Sequence, residues 1–312
     1  MLRARISPSL SKSASGPEDL PVVGDWVAAS VPQGLDAPLV EVVLDRTSAI
    51  TRADPGKASG TQVLAANIDT VFIVHPIAEA PNLRRVEREL SVAWDSGAVP
   101  VIVLTKEDLS DGPDAARAAV ESVAPDTGVL VTNARAGEGL EAMLGYLSGH
   151  RTAVLVGPSG AGKSTLINAL LGEERQATRE VRVSDGRGRH TTVARQLFQM
   201  PGGGLLIDTP GLRAFGLTGS EEGIASAFSD VEQIARSCRF RDCTHNDEPG
   251  CAVRAAVESG TLSPQRLASY HKLIGEAQVA TEKTDIRLRA EEDRRSRGHK
   301  AARDDYKRTD RD

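Results

Sequence analysis

Residues Gly157-Pro158-Ser159-Gly160-Ala161-Gly162-Lys163-Ser164-Thr165 follow the apolar run Ala153-Val154-Leu155-Val156 and open a helical pattern from Lys163 through Leu171. They fit G-x-x-x-x-G-K-[ST] in the setting that motif needs, a strand feeding a glycine-rich loop and then a helix. The glycines let backbone N–H groups curl around phosphate oxygens. Lys163 is placed to reach the β- and γ-phosphates, and the Ser164 hydroxyl to ligate Mg²⁺. The positive N-terminal end of the helix points at the same phosphates.

Working outward, strands alternate with helices. Val71–Val74 precedes a helix around Asn82–Trp94, and Val101–Leu104 one around Asp114–Ala124. Val129–Thr132 precedes a helix around Glu138–Leu147; Ala153–Val156 and its helix come next, then Gln196–Met200 and Leu205–Asp208. This alternation predicts a doubly wound, mostly parallel α/β sheet. Asp208-Thr209-Pro210-Gly211 ends a buried strand beside the phosphate loop. Asp208 is a candidate for the Mg²⁺ shell, and Gly211 offers its N–H to the γ-phosphate because no side chain blocks the approach.

Thr105-Lys106-Glu107-Asp108 follows the strand Val101–Leu104 and resembles the guanine-specificity element N-K-x-D of GTPases. Asp108 would accept from guanine N1 and N2, donors adenine lacks. The Lys106 stem would pack along the base. Thr105 stands where Asn is usual, and its shorter hydroxyl is expected to weaken guanine binding. Asn133-Ala134, after Val129–Thr132, resembles the element whose backbone N–H meets guanine O6.

The order is unusual. An ordinary GTPase presents the phosphate loop first and the base readers last; here the base readers precede it, which means a circular permutation. The chain resembles the circularly permuted ribosome-biogenesis GTPases of the RsgA (YjeQ) type. Further matching stretches are Val23-Gly24-Asp25-Trp26-Val27, Ala65-Ala66-Asn67-Ile68-Asp69, Gly188-Arg189-His190-Thr191-Thr192 and Cys238-Arg239-Phe240-Arg241-Asp242-Cys243-Thr244-His245, which continues into Glu248-Pro249-Gly250-Cys251. The resemblance runs from about Pro21 to about Glu276. It implies GTP hydrolysis coupled to maturation of the small ribosomal subunit and stimulated by it, with the subunit's rRNA as a contact.

Cys238, Cys243, His245 and Cys251 follow C-x₄-C-x-H-x₅-C. Three thiolates and an imidazole suit tetrahedral Zn²⁺; with all four positions filled, the site reads as structural. No cysteine lies outside this cluster, which argues against a disulfide framework and for a metal site in a reducing, cytoplasmic setting. No run of about 18 apolar residues predicts a membrane span, and no secretory signal is evident. A net charge of −5 gives no general nucleic-acid signature, so any RNA contact must rest on locally concentrated basic groups. A monomer is expected.

Val183–Arg195 reads as the first switch. Thr191 or Thr192 would reach Mg²⁺, Thr192 being favoured. Leu212 follows Gly211 where many GTPases carry a glutamine, and an aliphatic side chain cannot orient water. His190 is the candidate to supply that contact together with Lys163 in catalysis, a role the resemblance supports; Arg187 or Arg189 could instead stabilise transition-state charge.

Four parts are expected. Residues 1–60 form a small OB-like β-barrel, an identity the resemblance supplies, with its first strands short or missing, Ser7–Ser15 disordered and Trp26 in its core. Residues 61–219 are the permuted GTPase domain, 220–280 a mainly helical zinc module opening its last helix at Ser263-Pro264, and 281–312 a charged tail, disordered or a solvated helix. Two other readings remain: a GTP-dependent binding switch, or an rRNA-binding assembly factor, with slow, incidental hydrolysis.

Overall fold

The structure is a computed structural model that describes residues 3–32, 37–53, 61–174, 195–208 and 219–309. Its centre is a six-stranded sheet. In chain order the strands are β6 (Thr70–Pro76), β7 (Val99–Thr105), β8 (Gly128–Thr132), β9 (Thr152–Val156), β10 (Gln196–Gln199) and β11 (Leu205–Asp208). In space they run β10-β11-β9-β6-β7-β8, all parallel except the edge strand β10. Parallel neighbours need crossover helices, here α2 (Leu83–Asp95), α3 (Pro113–Glu121), α4 (Leu140–Leu147) and α5 (Lys163–Leu171). Asn82 caps α2 by accepting from Arg85 N at 3.1 Å.

Strand alternation divides the core. Phe72, Val74, Val101, Val103, Ala153 and Leu155 pack with Met143, Leu147, Leu166 and Ile167 of α4 and α5. Val71, Ile73, Ile102, Leu104, Val154 and Val156 pack on the other face with Val86 and Leu90 of α2. Residues of β6 and β9 are buried on both faces, which is why they read as continuous apolar runs. The chain winds outward from β6 through β7 to β8, then returns to the opposite side of β6 as β9. The switch point thus lies between β6 and β9, and ligands of open α/β sheets bind outside the strand ends at such a point.

The second face also receives α6 (Glu221–Ala227), α7 (Ser229–Ala235), α8 (Ala252–Glu258) and α9 (Pro264–Thr309). Phe228, Val231, Val253 and Leu273 join the same apolar cluster as α2, so the C-terminal helices share a core with the sheet domain. α9 begins at Pro264 as the Ser263-Pro264 signal predicts. It continues through the charged segment to Thr309, so of the two states expected for that segment the helix is the one observed.

Among its described residues the N-terminal part has five short strands in two sheets: β1 (Arg5–Ile6), β2 (Val27–Ser30) and β3 (Leu39–Val43) ordered β1-β3-β2, and the pair β4 (Ala49–Ala53) and β5 (Thr61–Ala66). Two expectations are corrected here. Ser7–Ser15 is not disordered: Ser7 is buried and its Oγ accepts from Leu10 N at 3.1 Å, so Ser7-Pro8 caps a short helix, α1 (Pro8–Ser13), while β1 pairs in parallel with β3. Trp26 is not in a core: it stands just before β2 and is 67% exposed.

Two of the family-matching stretches, Val23–Val27 and Ala65–Asp69, prove to be joints. Asp25 accepts from Arg46 at 2.7 and 2.8 Å, and Arg46 also donates to the Glu18 and Leu20 carbonyls. Asn67 donates to Gly24 O at 3.0 Å, and Asp69 accepts from Thr152 N at 2.8 Å at the start of β9. Gly24 has φ +93°, and a Cβ there would stand 2.0 Å from Ala66 O, so only glycine lets these stretches meet.

Candidate functional site

The phosphate-loop residues Gly157–Thr165 lie at the switch point. Gly157 leaves β9 with φ +136°, and a Cβ there would lie 2.3 Å from Val74 O of β6. The loop therefore rests directly on the neighbouring strand end. Gly162 caps α5, leaving Lys163, Ser164 and Thr165 in its first turn, where the free N–H groups of a helix start face outward. Lys163 Nζ donates to Gly157 O at 2.8 Å and Pro158 O at 2.7 Å, which holds the ammonium across Ser159, Gly160 and Ala161. Asp208 ends β11 in register with Leu155 of β9 and is buried. The sheet thus brings Asp208 to the same edge as Ser164.

The base-side residues converge next to the loop. A cavity of about 240 Å³ is lined by Lys106, Asp108, Asn133, Ala134 and Thr165, among others. Lys106 adopts φ +61°, which turns the chain out of β7 into the short turn holding Glu107 and Asp108. Thr105 is buried, and its Oγ1 donates to Ala161 O at 2.6 Å. The hydroxyl, expected to be too short, spans from the base-side strand to the phosphate loop. Asn133 exchanges backbone hydrogen bonds with Glu138 at 3.2 and 3.0 Å, which fixes the turn that presents Ala134. Leu109, Arg135 and Leu166 also line the cavity and were not singled out from sequence, although each adjoins a residue or helix that was.

Residues 209–218 and 175–194 lie outside the described residues, and with them Gly211, Leu212, Thr191, Thr192, His190, Arg187 and Arg189.

Cys238, Cys243, His245 and Cys251 come together in the C-terminal helical region, their ligand atoms all within 4.8 Å of one another. Cys238 Sγ is 4.0 Å from Cys251 Sγ and 3.7 Å from His245 Nδ1, and Cys251 Sγ is 3.5 Å from that nitrogen. Ligand bonds of about 2.0–2.3 Å give tetrahedral edges of about 3.5–3.8 Å, so the donor set fits a Zn²⁺-sized ion. Ala252 N and Arg254 N donate to Cys238 and Cys251 Sγ, as they would to thiolates. Burial pushes the His245 imidazole below its usual pKa, which favours the neutral, ligating form. Glu248 accepts from Thr244 N, Thr244 Oγ1 and Asn246 N and braces the connecting loop.

A phosphate loop at the switch point of this sheet, with the base-side elements earlier in the chain, defines a circularly permuted GTPase domain. A family model described as RsgA GTPase matches residues 43–218. The chain is 50% identical over 273 residues to the small ribosomal subunit biogenesis GTPase RsgA of Streptomyces avermitilis, covering 86% of this chain and 72% of that one. It is 44% identical over 277 residues to the protein of the same name from Methanosarcina acetivorans, covering 89% and 75%. Among solved structures, YjeQ from Thermotoga maritima superposes with a TM-score of 0.65 at 26% identity, over 89% of this chain and 90% of that one. YloQ, titled a circularly permuted GTPase, gives 0.63 at 23% identity over 89% and 87%, a likeness of fold alone. The chain belongs to the RsgA GTPase family.

Proposed function

We propose that this protein hydrolyses GTP to GDP and phosphate in the late assembly of the small ribosomal subunit, and that the subunit stimulates it. The observation that supports this best is the Thr105–Ala161 hydrogen bond, which ties the base-side strand to the phosphate loop beside a cavity lined by Lys106, Asp108, Ala134, Gly162 and Thr165. Asp108 reads guanine N1 and N2, the Lys106 stem flanks the base, and the Ala134 N–H meets O6. Glu107 and Asn133 shape the turns that present these groups. Gly157 through Thr165 wrap the phosphates, with Gly211 on the γ-phosphate.

Ser164, Asp208 and Thr192 would hold Mg²⁺, which when bound with the nucleotide neutralises charge on the phosphate oxygens. Lys163 turns from the loop carbonyls to the β- and γ-oxygens and stabilises negative charge as the γ-phosphoryl leaves. His190 orients the attacking water. Cys238, Cys243, His245 and Cys251 hold one structural Zn²⁺. The protein acts in the cytoplasm as a monomer without a membrane partner; no described helix is long and apolar enough to cross a membrane. The N-terminal strands and α9 are its rRNA contacts. A GTP-dependent switch with slow hydrolysis stays as a second reading, favoured by Leu212 in the glutamine position.

Competition titration tests the base assignment. GDP should displace a fluorescent guanine nucleotide while ADP does not. Asp108→Asn should weaken GDP binding by about 10²-fold and leave metal content unchanged, since a buried donor pair then loses its carboxylate partner. Equal binding of GDP and ADP would refute the assignment.

A further inference from the structure

A buried polar pair behind the site has no part in the reading above. His75, near the carboxyl end of β6, is 4% exposed, and its Nε2 lies 2.6 Å from Glu89 Oε2. Glu89, 1% exposed on α2, also accepts from Arg85 Nε at 2.9 Å. A buried carboxylate is costly unless paired, and packing alone would be served as well by an apolar residue. The backbone of His75 meets the base cavity through Thr105, which lines it. Its carbonyl lies 3.4 Å from Thr105 Oγ1, whose proton goes to Ala161 O, and two residues on, Ile77 N donates to Thr105 O at 2.9 Å.

The two residues before Glu89 reach elsewhere. Glu87 Oε1 accepts from Arg266 Nη1 of α9 at 2.9 Å; both side chains are buried. Arg266 also donates to Asp230 of α7 and to Ala227 O, and its guanidinium lies 3.9 Å above the Phe228 ring. Arg88 makes a two-pronged pair with Glu276 of α9, at 2.5 and 2.9 Å. Successive residues of a helix point about 100° apart, so Glu87, Arg88 and Glu89 can grip three directions from one turn. Two of these grips seat the C-terminal helices; the third seats the strand end under the base cavity.

We propose that Glu89 and His75 are positioning residues for the guanine site, and that α2 carries the seating of the metal-binding module to it. This rests on the guanine-nucleotide reading above. One turn of hydrogen-bonded helix moves as a unit, so loosening the α9 clamp displaces the Glu89 carboxylate and relaxes His75 and Thr105. The link is reciprocal: a nucleotide that fixes Thr105 firms the module's seat.

The test uses the full chain as Glu89→Ala, Glu89→Gln and Glu276→Ala, with metal content and melting temperature recorded for each. GDP affinity should fall about tenfold in Glu89→Ala with kcat at saturating GTP retained, and stay within about twofold in Glu89→Gln, whose amide can bond both His75 and Arg85. Glu276→Ala, far from the cavity, should weaken GDP about three- to fivefold at unchanged metal content. It should also speed amide exchange at Ile77 in the nucleotide-free protein. Unchanged GDP affinity in both alanine variants, with unchanged exchange at Ile77, overturns the proposal. If Glu89→Ala does not fold, Glu276→Ala on its partly exposed pair decides alone. If the unmodified protein binds no GDP, the guanine reading fails, and Ile77 exchange in Glu276→Ala still decides whether the link exists.

Discussion

The phosphate loop and the cysteine–histidine cluster are both built to hold a small charged group, and they are built in opposite ways. The loop is backbone. It is shaped by Gly157 pressed on Val74 and by hydrogen bonds from Lys163 and Thr105, above strands that are buried on both faces. Its form is set by the sheet before any ligand arrives. The cluster is side chain. Its four donors are drawn from the loop between α7 and α8, most of which is exposed, and only Cys251 and His245 are buried. What teaches most is how each site is held: the first by the strands it rises from, the second by a short loop whose flanking helices pack on the shared core and whose four donors a metal ion would tie together.

Removing a metal ligand should therefore have the largest effect. Cys251→Ser should abolish metal binding and unfold 236–260 locally, since structural zinc contributes on the order of 10 kcal/mol to small modules. Metal analysis and hydrogen exchange would check it; the contrast holds if β6 and β9 keep their protection. Arg266→Ala comes next. It strands Glu87 and costs about 3–5 kcal/mol in denaturant unfolding, with metal content unchanged. Gly157→Ala should cost about 1–3 kcal/mol through a strained φ and a clash with Val74 O. Its sharper signature is loss of nucleotide binding in a protein that still carries its metal. Trp26→Ser sets the lower end: an exposed position should shift stability by no more than about 0.5 kcal/mol in the same unfolding experiment.

Both sites were legible in the sequence because their signals are local. The glycine-rich loop sits between a strand and a helix, and the four metal donors fall within a short stretch. Five of the six strands were legible for the same reason, their apolar runs being bounded by turns, while the edge strand β10 is Gln-Leu-Phe-Gln. The misreadings have a common cause. Ser7–Ser15 looks disordered by composition, yet Ser7-Pro8 is a helix start. Trp26 looks like core by residue type, but its neighbours do not cover it. The pairs that seat the C-terminal helices left no trace at all, because Glu87 and Arg266 are 179 positions apart and each alone reads as a surface charge.

The most direct test of the central claim is GTP hydrolysis by the purified full chain, alone and with small ribosomal subunits, with large subunits as the control. The account predicts slow turnover alone, stimulation by small subunits only, and loss of both in Lys163→Ala. Tight GTP binding with no stimulation by small subunits would contradict it and leave a nucleotide-dependent binding switch in its place.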